Sequence, residues 1–187
     1  MSHPQTPSPA KLVIGFFLHD RSLLRHVVEP LQAEFGPIDM ISPWFAFDYT
    51  DYYAAEMGTE LFRRVLAFKR LIDQQALSGI KCITNALEKR FAENGRRRLN
   101  IDPGYLLHER FVLATGKNYT HRIYIGQGIY ADLTLMFQKG AYQTLPWTYP
   151  DYAAPDMRAF LLRVRQKFGA DLAAHKRDHA GVKSDLS

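Results

Sequence analysis

Cysteine is almost missing: Cys82 is the only one in 187 residues. A chain with one thiol closes no internal disulfide and builds no multi-cysteine metal site, and it suits a reducing compartment. Long apolar runs are missing as well. Nothing approaches the roughly 18 residues that a membrane-spanning helix needs. The opening MSHPQTPSPA lacks the apolar stretch of a secretory leader. The expected setting is therefore the cytoplasm, without a membrane partner.

The common catalytic signatures are missing too. The seven histidines form no His-Glu-x-x-His pair, and His175-x-x-x-His179 has helical spacing but lies in a polar tail. The carboxylates Asp48, Asp51, Glu56 and Asp151 fall in loops and read as solvated, so no metal is expected. There is no G-x-S-x-G, and Cys82 sits inside a helical pattern as a structural thiol. Gly116-Lys117 is followed by Asn118, and the position five before it is Phe111, so a Walker A loop is excluded. Gly126-Gln127-Gly128-Ile129-Tyr130-Ala131 spells G-x-G-x-x-A, but it joins two antiparallel strands and its glycines serve a turn. No cofactor follows from the residues.

What the chain does have is patterning. Its length suits one domain, expected over residues 11–169. Residues 1–10 form a loose tail and 170–187 a frayed or disordered one. Residues 12–18 are continuously apolar, as in a buried central strand. Asp20 starts a helix over 21–35, which Pro30 kinks or splits. Residues 38–47 form a strand, with Pro43 placing it at an edge or a bulge, and 49–58 form a loop. Residues 61–72 fit both periods and are taken as a strand. A helix over 74–94 places Leu77, Ile80, Ile83, Leu87 and Phe91 on one face, and Asn94-Gly95 stops it.

A strand over 97–101 leads into Asp102-Pro103-Gly104-Tyr105, a type II turn signal. Two hairpins follow: strands over 110–115 and 121–125 joined at 116–118, then a third strand over 129–138 after Gly126–Gly128. Ile129, Ala131, Leu133, Leu135 and Phe137 are expected on one side of that last strand. Residues 146–152 form an ordered loop, and a helix runs from Pro155 to Gly169. The expected fold class is α+β: a ferredoxin-like βαββαβ core extended by an antiparallel meander and a C-terminal helix.

The net charge of +5 is local in origin. Residues 89–98 hold five basic side chains against one acid, and residues 158–187 hold seven against three. Basic clusters attract phosphate, but positive charge at helix C-termini also complements the macrodipole.

A hairpin symmetric about Gln127 sets Tyr124 opposite Tyr130 and Arg122 opposite Asp132 on one face. Two tyrosines, an arginine and a carboxylate there would floor a site for a planar or anionic ligand. Lys117, His121 and the loop from Trp147 through Asp151 reach toward it. The loop bearing Asp51 and Glu56 adds carboxylates beside aromatics.

Several segments in a fixed order carry a family likeness. They are Thr50-Asp51-Tyr52-Tyr53 with Glu56-Met57-Gly58, Asn100-Ile101-Asp102-Pro103-Gly104-Tyr105, His121-Arg122-Ile123-Tyr124, Gly128-Ile129-Tyr130-Ala131 and Trp147-Thr148-Tyr149-Pro150-Asp151-Tyr152. From about residue 11 to 168 the chain resembles a bacterial family, domain of unknown function 4416. Some members carry the label "GTP-binding protein", yet this chain has neither a Walker A loop nor an Asn-Lys-x-Asp motif. The resemblance implies no catalytic roles. The residues point to binding, or binding and transformation, of a small anionic ligand such as a phosphorylated metabolite or nucleotide. Two other classes compete: a nucleic-acid-binding module using Arg96, Arg97, Arg98 and the last helix, and an interaction scaffold that presents exposed aromatics.

Overall fold

The structure, a computed structural model, describes residues 1–50 and 52–184. In chain order the elements are β1 (Ala10–Leu18), α1 (Leu24–Phe35), β2 (Ile38–Ile41), β3 (Phe45–Ala46), α2 (Ala54–Met57), β4 (Phe62–Ile72), α3 (Leu77–Arg90), β5 (Leu99–Leu106), β6 (Arg110–Thr115), β7 (Arg122–Gly126), β8 (Ile129–Gln138), β9 (Ala141–Thr144), α4 (Pro150–Ala153) and α5 (Pro155–Ser184). The class is α+β. One antiparallel sheet runs in the order β2-β4-β1-β5-β6-β8-β7, with β3 also on β4 and β9 also on β8.

The apolar run of β1 has no polar side to turn toward water, and it lies near the middle of the sheet, buried at every position. Leu12, Ile14, Phe16 and Leu18 pack with α1 and α3, while Val13 belongs to the core that α5 covers. Helices thus lie on both faces. Each fully buried large apolar side chain contributes roughly 1.5–3 kcal/mol. Residues 61–72 do form a strand, because β1 on one side and β2 and β3 on the other satisfy its backbone. Pro43 falls in the gap between β2 and β3, at the sheet edge, where no ladder is broken. No helix is long and apolar enough to cross a membrane among the described residues.

Several local expectations are corrected. Helix α1 runs unbroken through Pro30, after a short 3₁₀ turn that Asp20 caps by accepting from the Ser22 N–H. The loop over 49–58 contains the short helix α2. Ile83 is exposed, and Lys81, Thr84 and Glu88 are buried on α3 instead. Asn94-Gly95 forms its own turn beyond the end of α3, both residues at positive φ. Gly169 does not end α5. It lies inside the helix, where a side-chain carbon would come within 3.4 Å of the His108 ring. One turn on, Asp171 pairs with Lys11 and Leu172 is buried, so part of the expected tail is tied to the core.

Asp102 to Tyr105 is not a turn but the middle of β5. Glycine stands at 104 because a side-chain carbon there would lie 2.4 Å from the Val112 carbonyl. The expected hairpin between 110–115 and 121–125 does not form either. Strand β8 lies between β6 and β7, and residues 116–121 carry the chain past it. Finally, β8 carries a bulge at Thr134 against β6. The bulge reverses the alternation: Ile129, Ala131 and Leu133 pack on the α3 side, Leu135 and Phe137 on the α5 side.

One irregularity matters most. Strands β5 and β6 pair only from Gly104↔Leu113 to Leu106↔Phe111. Toward Leu99 on one strand and Thr115 on the other, the two diverge and the sheet splits. The freed backbone of Ile101 is satisfied from α3. Its N–H donates to Glu88 Oε1 at 2.6 Å, and its carbonyl accepts from Lys81 Nζ at 2.6 Å. Pro103 lies two residues on, opposite Ala114 at the end of the β5–β6 pairing; having no N–H to give the next strand, it is where the ladder stops.

Candidate functional site

A cavity of about 590 Å³ lies over this split, within the roughly 300–1,000 Å³ of small-molecule sites. Its deep end is built on three strands. Arg63 of β4, Phe17 of β1 and Asn100 of β5 lie in one row across the sheet, and Gly15 and Asp102 occupy the next. Arg63 is 2 % exposed. Its Nη2 donates to Asp102 Oδ2 at 2.6 Å, and its Nη1 forms an ion pair with Asp151. The guanidinium carbon lies 4.8, 5.1 and 5.3 Å from the ring centres of Tyr152, Phe47 and Phe17. A planar cation between two carboxylates and three aromatic faces is held in one orientation.

Gly15 belongs to this design. A side-chain carbon there would lie 2.8 Å from the Tyr152 hydroxyl. That hydroxyl sits beside Arg63 without hydrogen-bond geometry. Burial pushes the phenols of Tyr53 and Tyr152 up to about 12, so both remain neutral donors at ordinary pH.

Through the split, Lys81 and Glu88 also reach the cavity wall. Burial raises the Glu88 pKa, against the pull of Lys81. A carboxyl with a raised folded pKa lends stability below its unfolded pKa and loses it as pH rises through the folded one. The stability difference between wild type and Glu88→Gln is therefore expected to shift against the wild type as pH rises above the ordinary glutamate range. Urea midpoints across pH 4–8 check this, and a difference that does not vary with pH contradicts it.

At the other end stands the Arg122–Asp132 pair. Arg122 pairs with Asp132 and Tyr124 with Tyr130, as a hairpin symmetric about Gln127 predicts, but the register slips by one between Tyr124 and Gly126, so that Gly126 pairs with Ile129 and the turn is Gln127-Gly128, with Gln127 at φ 57°. Arg122 Nε donates to Asp132 Oδ2 at 2.8 Å, Nη1 to the Lys117 carbonyl at 3.0 Å and Nη2 to Tyr149 Oη at 2.5 Å. His121 Nε2 lies 3.2 Å from the same carboxylate, and its ring stacks on Trp147. Trp147 Nε1 in turn donates to the Leu133 carbonyl.

This corrects the expected floor. Arg122 is buried and joins the loop over 116–121 to the Trp147–Asp151 segment; it does not present a free guanidinium. Of the residues named from sequence, Lys117, Asp132 and Asp151 line the cavity. Arg122 and His121 stand behind Asp132. Tyr124 and Tyr130 pack on each other, 5.4 Å between ring centres, away from the lining. Ile123 is 71 % exposed on β7, the outer strand. Glu56 lies elsewhere, accepting from Arg97 Nε at 2.8 Å. Asp51 lies outside the described residues.

Sequence reasoning missed Arg63, Asp102 and the tyrosines at the mouth. One signal was readable: Asn100 and Asp102 alternate with apolar neighbours, which puts two polar groups on one face of a strand. Tyr49, Tyr52 and Tyr149 are all exposed, and all line the cavity. Lys117 Nζ lies 4.6 Å from the Tyr52 ring centre, and among the described residues no carboxylate pairs with it. By contrast Arg63, Lys81 and Arg97 each face a carboxylate.

Part of each basic cluster is engaged with the protein itself. Arg97 meets Glu56, and Arg98 meets Glu93 and Asp20. On α5, Arg158 and Arg165 donate to the carbonyls of Tyr142 and His108, and Lys167 pairs with Asp39 and Asp171.

No curated protein and no solved structure matches the chain. Residues 8–168 match the family described as Domain of unknown function (DUF4416), and the chain belongs to that family.

Proposed function

We propose that the protein binds a small ligand with a planar part and an anionic end, of the phosphorylated-metabolite or nucleotide kind, in the cavity over the split sheet. The observation that carries this reading is the company kept at the cavity mouth: three exposed tyrosines around one opening with Lys117, which pairs with no carboxylate among the described residues. Exposed aromatic faces gathered at a concave site suit a ring, and an unpaired ammonium suits an anion. Deeper in, the Arg63 guanidinium is taken up by two carboxylates, Asp102 and Asp151, and serves to hold the walls. The nucleic-acid reading is weaker, because Arg97 and Arg98, two of the three consecutive arginines it relies on, already have carboxylate partners.

The same proposal takes the first part of the chain, through β5, as a ferredoxin-like core. Its support is the strand order β2-β4-β1-β5, antiparallel throughout, with α1 and α3 packed on one face. In this reading the meander and α5 extend that core, and the cavity forms where the extension peels away.

Calorimetric titration at low salt with inorganic phosphate, ribose 5-phosphate and nucleoside 5′-monophosphates tests the function. A phosphorylated probe is expected to bind. Lys117→Gln is expected to weaken it by about tenfold with the melting temperature nearly unchanged, because the side chain makes no ion pair among the described residues. Absence of binding by every probe would overturn the proposal.

A further inference from the structure

We infer that the deep end of the cavity takes an amino group of the ligand, and that Asp102 is the residue that accepts it. This inference rests on the ligand-binding reading above and names the ligand class: a planar phosphate that carries an amino group at the end away from its anion.

Asp102 is open because of its place in the sheet. Its neighbour across the β1–β5 ladder is Gly15, which has no side chain. On the other side the pairing of β5 with β6 has already stopped, its last pair being Gly104↔Leu113. The Asp102 side chain therefore keeps 28 % exposure inside the sheet and lines the cavity, against 7 % for Asp151. It is also held in place. Its Oδ2 accepts from Arg63 Nη2 at 2.6 Å and its Oδ1 from Asn100 Nδ2 at 2.9 Å. Each carboxylate oxygen has a second lone pair to offer.

The charges say what kind of donor fits. Lys81 faces Glu88, Arg97 faces Glu56 and Arg122 faces Asp132, one to one. Arg63 faces two carboxylates, Asp102 and Asp151. The deep end is thus short of one positive charge, while Lys117 at the mouth pairs with no carboxylate among the described residues. A ligand with an anion at one end and an amino group at the other matches both. An anion or a carbonyl placed at Asp102 would be repelled, which makes this residue a filter as well as a contact. The Tyr152 hydroxyl points to the same place. It lies over Gly15, the ladder partner of Asp102, is 1 % exposed as a residue, and has no hydrogen-bond partner among the described residues. Buried polar groups are rarely left so, and an amino group at Asp102 brings more than one N–H.

The test uses the full chain and two matched pairs of probes. Pyridoxamine 5′-phosphate against pyridoxine 5′-phosphate exchanges an ammonium for a hydroxyl. Adenosine 5′-monophosphate against inosine 5′-monophosphate exchanges an amino group for a carbonyl. Dissociation constants come from calorimetry. Within at least one pair the amino member is expected to bind about tenfold or more tightly. In protein labelled with ¹³C, that ligand at saturation should shift the side-chain carboxyl signal of Asp102. Asp102→Asn should bring the two members of the pair within about threefold of each other. The carboxyl signal is read in the wild type, so the test stands even where the variant does not fold. Equal affinity within both pairs, an unmoved Asp102 signal under the saturating amino ligand, or a preference that survives Asp102→Asn overturns this inference and leaves the anion-binding proposal standing. If none of the four probes binds, and neither ribose 5-phosphate nor inorganic phosphate does, both fall.

Discussion

Replacing Arg63 with methionine is expected to destabilise the protein by about 3–5 kcal/mol, the usual cost of removing one partner from a buried ionic cluster. The reason is what remains. Asp151 is 6 % exposed, and Asp102 shares the same cation. Without the guanidinium, two carboxylates face each other across a cavity walled by Phe17, Phe47 and Tyr152. Lysine is no substitute, since a single ammonium cannot span both acids in the plane that the three rings define. Neutralising the acids together with the arginine, as Arg63→Met with Asp102→Asn and Asp151→Asn, is expected to recover much of the loss, because no uncompensated charge stays buried. Urea midpoints of the single and triple variants, at unchanged slope, measure this. If Arg63→Met alone costs less than about 1 kcal/mol, as an exposed pair would, Arg63 does not hold the deep end of the cavity.

Arg122→Met is the second large effect, again about 3–5 kcal/mol. Asp132 is 1 % exposed, so its carboxylate loses its main partner in a site that water scarcely reaches. The Lys117 carbonyl and the Tyr149 hydroxyl lose a donor at the same moment. The loops over 116–121 and 146–152 should then move apart, carrying Lys117 and Tyr149 away from the mouth. Two readouts separate this from generic unfolding. The near-ultraviolet circular dichroism of Trp147, stacked on His121 at 4.8 Å, should change in the folded variant. Losses from Arg63→Met and Arg122→Met should also fail to add, because Tyr149 and Asp151 belong to one segment. A variant with wild-type stability and an unchanged Trp147 signal contradicts this account of Arg122.

The sequence made some of this visible and hid the rest for definite reasons. The pairing of Arg122 with Asp132 was readable because it depends on a local turn, with glycines on both sides of Gln127 at positive φ. The strand over 62–72 was readable despite its helix-compatible spacing. Pro103-Gly104 misled, since the pair is a strong turn signal when only its neighbours are considered. Its meaning here is tertiary: the proline stands where the β5–β6 ladder stops, and the glycine admits the Val112 carbonyl. The bulge at Thr134 was equally hidden, because unbroken alternation in β8 gives no sign of where its partner slips.

The candidate site was half legible. Lys117, Asp132 and Asp151 stand near turns and polar loops, where side chains attract notice. Arg63 and Asp102 lie in apolar strands, and only the order β4-β1-β5 brings them together, 39 positions apart in the chain. Arg122 was placed in the right pair but with the wrong exposure, because pairing follows from register while burial depends on the loops that fold over it.

The proposed planar, phosphorylated ligand would sit among Tyr49, Tyr52 and Tyr149 over the split between β5 and β6. The most direct measurement is an isotope-filtered nuclear Overhauser experiment on the labelled protein with a saturating nucleoside 5′-monophosphate. Contacts from the base protons to the rings of those three tyrosines, together with a shifted Lys117 side-chain signal, are the predicted result. Contacts confined to the outer edge at Ile123 and Tyr124, or to the stretch from Arg96 to Arg98, would contradict it.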